Sequence, residues 1–137
     1  MKQTISRISF TIIIIAMSTI SSCEKDKGIL PAISFKTGSG YTSADGTIAK
    51  NTAFLVGIDA ARTEDKDVLK TFNASVSYDG GASSTVYSET LTGIQGDNYS
   101  HDLNLTTRNQ SGTEKYTFTI TNRDGLINTI SLNITVP

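Results

Sequence analysis

From Pro31 to Pro137 the apolar side chains fall into short runs that alternate with polar ones, and no window of that stretch carries a convincing helical period. Successive side chains of an extended strand point to opposite faces, so period two marks a strand with one face buried and the other wet. Ile33 and Phe35 open the series, and Phe54, Val56, Ile58 and Ala60 share one face of the next run. Phe72, Ala74, Val76 and Tyr78 alternate with Asn73, Ser75 and Ser77 until Asp79-Gly80-Gly81, a turn signal because glycine takes positive φ without a Cβ clash. A weaker strand runs through Thr85-Val86-Tyr87-Ser88 toward Leu91, Gly93 and Gly96 bracket a bend, and Tyr99, Leu103 and Leu105 mark another strand. Tyr116, Phe118 and Ile120 then alternate with threonines, Asn122-Arg123-Asp124-Gly125 turns the chain, and Ile130, Leu132, Ile134 and Val136 alternate to the end. This is a C-terminal hairpin.

The best helical candidate in that stretch is a single charged turn around Thr63 to Leu69. About seven strands, rich in threonine and β-branched residues and parted by glycine and asparagine turns, predict an all-β fold, an immunoglobulin-like β-sandwich. The odd count disfavours closure into an up-and-down barrel, and an eighth strand near Thr47 to Ala49 would reopen that choice. Tyr116 is read first as a core tyrosine, with the tyrosine corner of such sandwiches as the alternative.

Ahead of this domain the character changes. Lys2 and Arg7 precede an apolar run from Ile8 to Ile20, the layout of a secretory signal. As a helix the run reaches about 20 Å, short of the roughly 30 Å of bilayer hydrocarbon. It closes on Ile20-Ser21-Ser22-Cys23, a branched apolar residue, two small residues and the sole cysteine of the chain. That pattern resembles the lipobox of bacterial lipoproteins, which implies cleavage before Cys23 and a diacylglycerol on its thiol. A soluble periplasmic product is the alternative. The expected division is a signal peptide at 1–22, a lipidated cysteine and charged tether at 23–30, and the sandwich domain at 31–137. Glu24-Lys25-Asp26-Lys27-Gly28 is read as a solvated spacer or an export tag.

Without a second cysteine the domain has no disulfide, thiolate zinc site or cysteine nucleophile, and its stability must come from burial. The formal net charge is −1, and loss of Lys2 and Arg7 with the signal leaves a mildly acidic remainder with scattered cations. A nucleic-acid partner is not expected.

The lipobox, the charged tether, Ile33-Ser34-Phe35, Tyr78-Asp79-Gly80-Gly81 and Gly112-Thr113-Glu114-Lys115-Tyr116-Thr117-Phe118 together resemble the small uncharacterised immunoglobulin-like lipoproteins of the Bacteroidota. The resemblance implies an outer-membrane or cell-surface location, assigns no activity, and carries over no functional residue except Cys23.

The one histidine, His101, lies between Ser100 and Asp102. Neighbours in a strand face opposite ways, so the three cannot converge as a hydrolase triad, and His101 is expected on the inward face with Tyr99 and Leu103. Glu64, Asp65 and Asp67 are the densest acids, but Lys66 interrupts them and the glycine and spacing of a calcium loop are missing, so they read as a solvated loop. Gly38-Ser39-Gly40-Tyr41 reads as a flexible turn that leaves Tyr41 exposed on a loop, where sandwiches commonly place recognition residues. With no tryptophan in the chain, Tyr41 is the candidate ligand-binding residue, while Tyr87 and Tyr99 are expected to pack at the core or its rim. No catalytic residue, metal or cofactor is expected.

The functional expectation is a membrane-anchored envelope lipoprotein, not an enzyme, held by lipid on Cys23 and presenting sandwich loops to a glycan or protein. The alternative is a structural or assembly subunit that pairs with another envelope protein through a sheet edge, the C-terminal strand ending at Val136-Pro137 being the candidate edge.

Overall fold

A computed structural model describes residues 28–137; the expected signal segment, Cys23 and the expected tether as far as Lys27 lie outside the described residues. Eight strands make two sheets: β1 (Ala32–Phe35), β2 (Gly46–Thr47), β3 (Ala53–Ala61), β4 (Leu69–Tyr78), β5 (Ser83–Thr90), β6 (Asn98–Thr106), β7 (Gly112–Asn122) and β8 (Ile127–Val136). Their orders are β1-β3-β6 and β2-β8-β7-β4-β5. All pairings are antiparallel except that of the two-residue β2, which runs parallel to β8. The chain is an immunoglobulin-like β-sandwich. The eighth strand exists, but it extends the larger sheet and closes no barrel.

The expected inward faces are buried: Val56 and Ile58 on β3, Phe72 and Val76 on β4, Phe118 and Ile120 on β7, Leu132 and Ile134 on β8. Phe35 meets Phe118 edge-on at 5.6 Å between ring centroids, and Phe54 meets Tyr116 at 5.4 Å. Each side chain of this size contributes about 1.5–3 kcal/mol by leaving water. Tyr78, last of its row, leaves the core and remains 40% exposed, with the Arg108 guanidinium 4.9 Å from its ring.

Of the single turn expected at Thr63 to Leu69, one hydrogen-bonded turn closes, Asp67 N donating to Glu64 O at 3.1 Å, and it does not continue as helix. Leu69 is drawn into the core as the first residue of β4, and Val68 O accepts Arg123 N at 2.8 Å, so extended backbone prevails over continued helix. One 3₁₀ turn forms at Gly93–Gly96.

On β7 the inward row runs Glu114, Tyr116, Phe118, Ile120, Asn122, with a polar residue at each end. Glu114 is fully buried: its Oε2 accepts the Tyr116 hydroxyl at 2.6 Å and its Oε1 accepts Arg108 N at 2.9 Å. Tyr116 is thus a core tyrosine whose hydroxyl reaches the β6–β7 backbone through a carboxylate, where a tyrosine corner would bond it directly. At the other end Asn122 Oδ1 accepts Asp124 N and Leu126 N, closing the expected hairpin turn.

Strand directions gather the segments 28–31, 62–68, 91–97 and 123–126 at one end of the sandwich, the near end, with Gly28. The far end holds 36–45, 48–52, 79–82 and 107–111. The C-terminal strand is not a bare edge. β2 pairs with its last residues, Asp45 Oδ1 accepts Asn133 N at 2.7 Å, and Ile48 N donates to Thr135 O at 3.0 Å. The long open edges are β5 and β6, side by side on the opposite flank.

Candidate functional site

Tyr41 does not stand free on a loop. After Gly38-Ser39-Gly40 the chain folds back on β3, where Thr42 N donates to Leu55 O at 2.7 Å and Tyr41 bridges to Leu55. The ring is thereby laid over Gly57 on the outer face of the small sheet. A Cβ at position 57 would come 2.6 Å from Tyr41 Cε1 and 2.6 Å from Lys36 Cδ, so only glycine admits this approach. The Tyr41 hydroxyl donates to Asp102 Oδ2 at 3.1 Å, and Lys36 Nζ donates to Asp102 Oδ1 at 2.7 Å. The Lys36 hydrogen bond, followed by that of Tyr41, holds the Asp102 carboxyl below its ordinary value despite some desolvation. Asp102 in return raises both Lys36 and Tyr41, again chiefly by hydrogen bonding. The three form a fixed ammonium, carboxylate and neutral phenol. Beside them a shallow trough of about 260 Å³ crosses β1, β3 and β6, with Ser34, Asp59, Asn98 and Ser100 among its walls.

A second cluster forms on the flank between β5 and β6. The β4–β5 register steps from Ala74↔Tyr87 to Ser75↔Thr85, leaving Val86 without a partner. This extra residue resets the alternation and turns Tyr87 and Glu89 inward beside Ala74 and Phe72. Glu89 Oε2 accepts the hydroxyls of Tyr87 and Tyr99, each at 2.7 Å, and Oε1 accepts Gln95 Nε2 at 2.9 Å. Donation from Tyr99, then Tyr87 and Gln95, holds the Glu89 carboxyl below its ordinary value. Burial first, and then Glu89, pushes the Tyr99 hydroxyl well up.

His101 faces inward as expected, its ring 4.5 Å from Tyr87 and 5.8 Å from Tyr99, while Ser100 and Asp102 face outward on the other side of β6. Tyr99 is core and Tyr87 lies at its rim. Chemically the cluster is a satisfied carboxylate within an aromatic stack, which closes the flank where neither sheet has another strand.

The acidic segment departs from the solvated-loop expectation at one residue. Asp67 is 1% exposed, and neither carboxylate oxygen has a hydrogen-bond partner. Leu69 must face the core, and Asp67, two residues earlier, follows it inward. Burial first, then the neighbouring carboxyls of Glu64 and Asp124, which can accept a hydrogen bond from Asp67 only when it is protonated, raises its pKa, so Asp67 holds its proton more tightly than an ordinary aspartate. Among the described residues no group of three or more histidine, cysteine or acidic side chains is placed to hold a metal ion. Cys23, the expected lipidation site, lies outside the described residues.

No protein-family model and no curated protein matches the chain. Among solved structures it is similar to a superoxide reductase (neelaredoxin) from Ignicoccus hospitalis, with 8% identity, a TM-score of 0.54, and 80% of this chain and 81% of that one covered. A β-glucosidase from Listeria innocua, in complex with glucose, aligns over 77% of this chain and 16% of its own, with 6% identity and a TM-score of 0.49. The CARDB domain of a Pyrococcus furiosus protein aligns over 77% of this chain and 87% of its own, with 12% identity and a TM-score of 0.43. At such identities the superoxide reductase likeness is one of fold alone and carries no residue across.

Proposed function

We propose that the protein is a lipid-anchored, non-enzymatic envelope module, tethered through Cys23 to the outer membrane or cell surface, that recognises a glycan on the outer face of its small sheet. The observation that carries the reading is Tyr41, pinned over Gly57, one outward position along β3 from Asp59 in an open trough that joins Ser34, Asp59, Asn98 and Ser100 with the apolar Ala32, Ala60 and Ala61. An aromatic side chain next to carboxylate, hydroxyl and amide groups suits a sugar ring, whose apolar face stacks while its hydroxyls find acceptors and donors. The preorganised Lys36, Asp102 and Tyr41 group would lose little side-chain entropy on binding. For the anchor, the support is the lipobox pattern and the short distance in sequence from Cys23 to Gly28.

Glycan-array binding of the full-length lipoprotein, followed by titration of Tyr41→Ala and Asp59→Ala, tests the recognition. A hit weakened about tenfold or more by each substitution, equivalent to roughly 1.4 kcal/mol, is expected. Binding indifferent to both would move the ligand elsewhere. Fatty-acid labelling of wild type and Cys23→Ala tests the anchor independently.

The β5 edge favours a second reading, assembly through strand addition. Ser83–Thr90 carries no proline, lysine or arginine on its unpaired side, and outside the Val86 bulge and the inward Glu89 it is open, which makes β5 rather than the C-terminal strand the candidate edge. Stoichiometric copurification of one envelope protein, lost on Thr85→Pro or Ser88→Pro, would select this reading.

A further inference from the structure

We infer that the near end of the sandwich is a membrane-docking surface, which sets exposed aliphatic side chains into the headgroup region of the bilayer that carries the anchor. The inference rests on the lipid at Cys23 proposed above and adds a second, noncovalent contact. Six large hydrophobic side chains are exposed among the described residues, and four of them share this end: Ile29 (58%), Leu30 (50%), Ile94 (85%) and Ile127 (55%). The other two have local reasons for exposure. Tyr78 lies at the far end under the Arg108 guanidinium, and Val86 is the unpaired residue of the β5 bulge.

The aliphatic end is built, not loose. Thr63 Oγ1 donates to Leu30 O at 3.0 Å, Ile29 N donates to Glu64 Oε2 at 3.1 Å, and Asn128 Nδ2 donates to Pro31 O at 2.9 Å. The 3₁₀ turn bearing Ile94 is braced where Gly96 abuts Val68, a Cβ there coming 3.3 Å from Val68 Cβ. Beside it a cleft of about 330 Å³ opens between Val68, Leu91 and Gly93.

Two further observations identify the occupant as a bilayer. The five residue-to-residue steps from Cys23 to Gly28 span at most about 18 Å even when fully extended, so a lipidated Cys23 keeps this end within reach of the headgroups whatever the tether does. The charged residues here are mixed, with Glu64, Asp65, Asp67, Asp97 and Asp124 against Arg62, Lys66 and Arg123. There is no cationic excess to seek anionic lipid, so the contact is apolar and insensitive to salt.

The test uses the full-length lipoprotein reconstituted in phosphatidylcholine and phosphatidylethanolamine vesicles, with an environment-sensitive fluorophore on Ile94→Cys at the near end or Ala82→Cys at the far end. Lipid blocks the Cys23 thiol, and its presence is verified by mass. The expected result is blue-shifted emission at position 94 and aqueous iodide quenching about threefold or more below that at position 82, unchanged in high salt and reversed by adding Ile127→Glu. Equal quenching at both positions in protein whose mass shows the lipid overturns the docking and leaves the anchor standing. A Cys23 that carries no lipid overturns both. Shielding of position 94 in cells but not in protein-free vesicles assigns the patch to a protein partner and also overturns the inference.

Discussion

Tyr116→Phe removes one oxygen from the core and is expected to cost far more than its size suggests. The ring keeps its place: Tyr116 is 3% exposed and packs against Phe54 at 5.4 Å, contacts that phenylalanine reproduces. What disappears is the 2.6 Å donation to Glu114 Oε2, in a residue with no exposed surface. Arg108 Nε, 3.7 Å from the other carboxylate oxygen, is too distant to replace it. A hydrogen bond to a charged group contributes about 1.5–3 kcal/mol, and leaving a buried acceptor short of its donor places the loss in the upper half, about 2–3 kcal/mol. For a domain of this size that lowers Tm by about 8–12 °C, measured by calorimetry, with the urea midpoint falling at unchanged slope. Glu114→Leu alone strands the Tyr116 hydroxyl and Arg108 N. The double variant Glu114→Leu/Tyr116→Phe should therefore cost about 1–2 kcal/mol less than the sum of the single changes. A loss below about 0.5 kcal/mol for Tyr116→Phe, or strict additivity in the double variant, would refute the relay through Glu114.

Other outcomes follow from the same contacts. Asp67→Asn should raise Tm near neutral pH and change it little in strong acid. Because the folded pKa of Asp67 lies above the ordinary 3.8, its contribution is complete below that value and is lost as pH rises through the raised one, which a neutral amide avoids; a lower Tm for the variant near pH 7 would count against a buried Asp67 that destabilises the fold when it is charged. Glu89 behaves oppositely: its folded pKa is depressed, so its contribution is present above the ordinary 4.5 and drains away as pH falls through the folded value. Glu89→Gln should flatten that acid limb of a Tm–pH curve while lowering stability at neutral pH, and an unchanged limb would mean that other carboxylates control it. Gly57→Ala should cost about 1–3 kcal/mol by overpacking and lift Tyr41 from Asp102, so that Tyr41 reacts faster with an acylating reagent than in wild type. Unaltered reactivity would contradict the packing over Gly57.

Much of the architecture was legible along the chain. Alternation at Phe54 to Ala60, Phe72 to Val76 and Ile130 to Val136 reports burial on one side of a strand, a property local enough to be written in the residues themselves. The same parity placed His101 inward and excluded a triad with Ser100. Polar residues hide from this reading. Glu114, Asn122 and Asp67 continue inward rows, yet their side chains look solvated until the partners that surround them are known. The Glu89 cluster was hidden for another reason: Val86 carries no signal of a bulge, and the slip exists only in the pairing with β4.

The sequence alone therefore determined where the seven longer strands lie, which of their faces are apolar, where the C-terminal hairpin turns, and that one cysteine follows an apolar run. Tertiary structure alone decided that β2 crosses to the larger sheet and covers β8, that Tyr41 lies over Gly57, and that the segments bearing Ile29, Leu30, Ile94 and Ile127 lie at one end. The division has a physical cause. Period and turn chemistry act between neighbours in the chain, whereas strand order, register and the company a side chain keeps are set by hydrogen bonds and contacts between segments tens of residues apart.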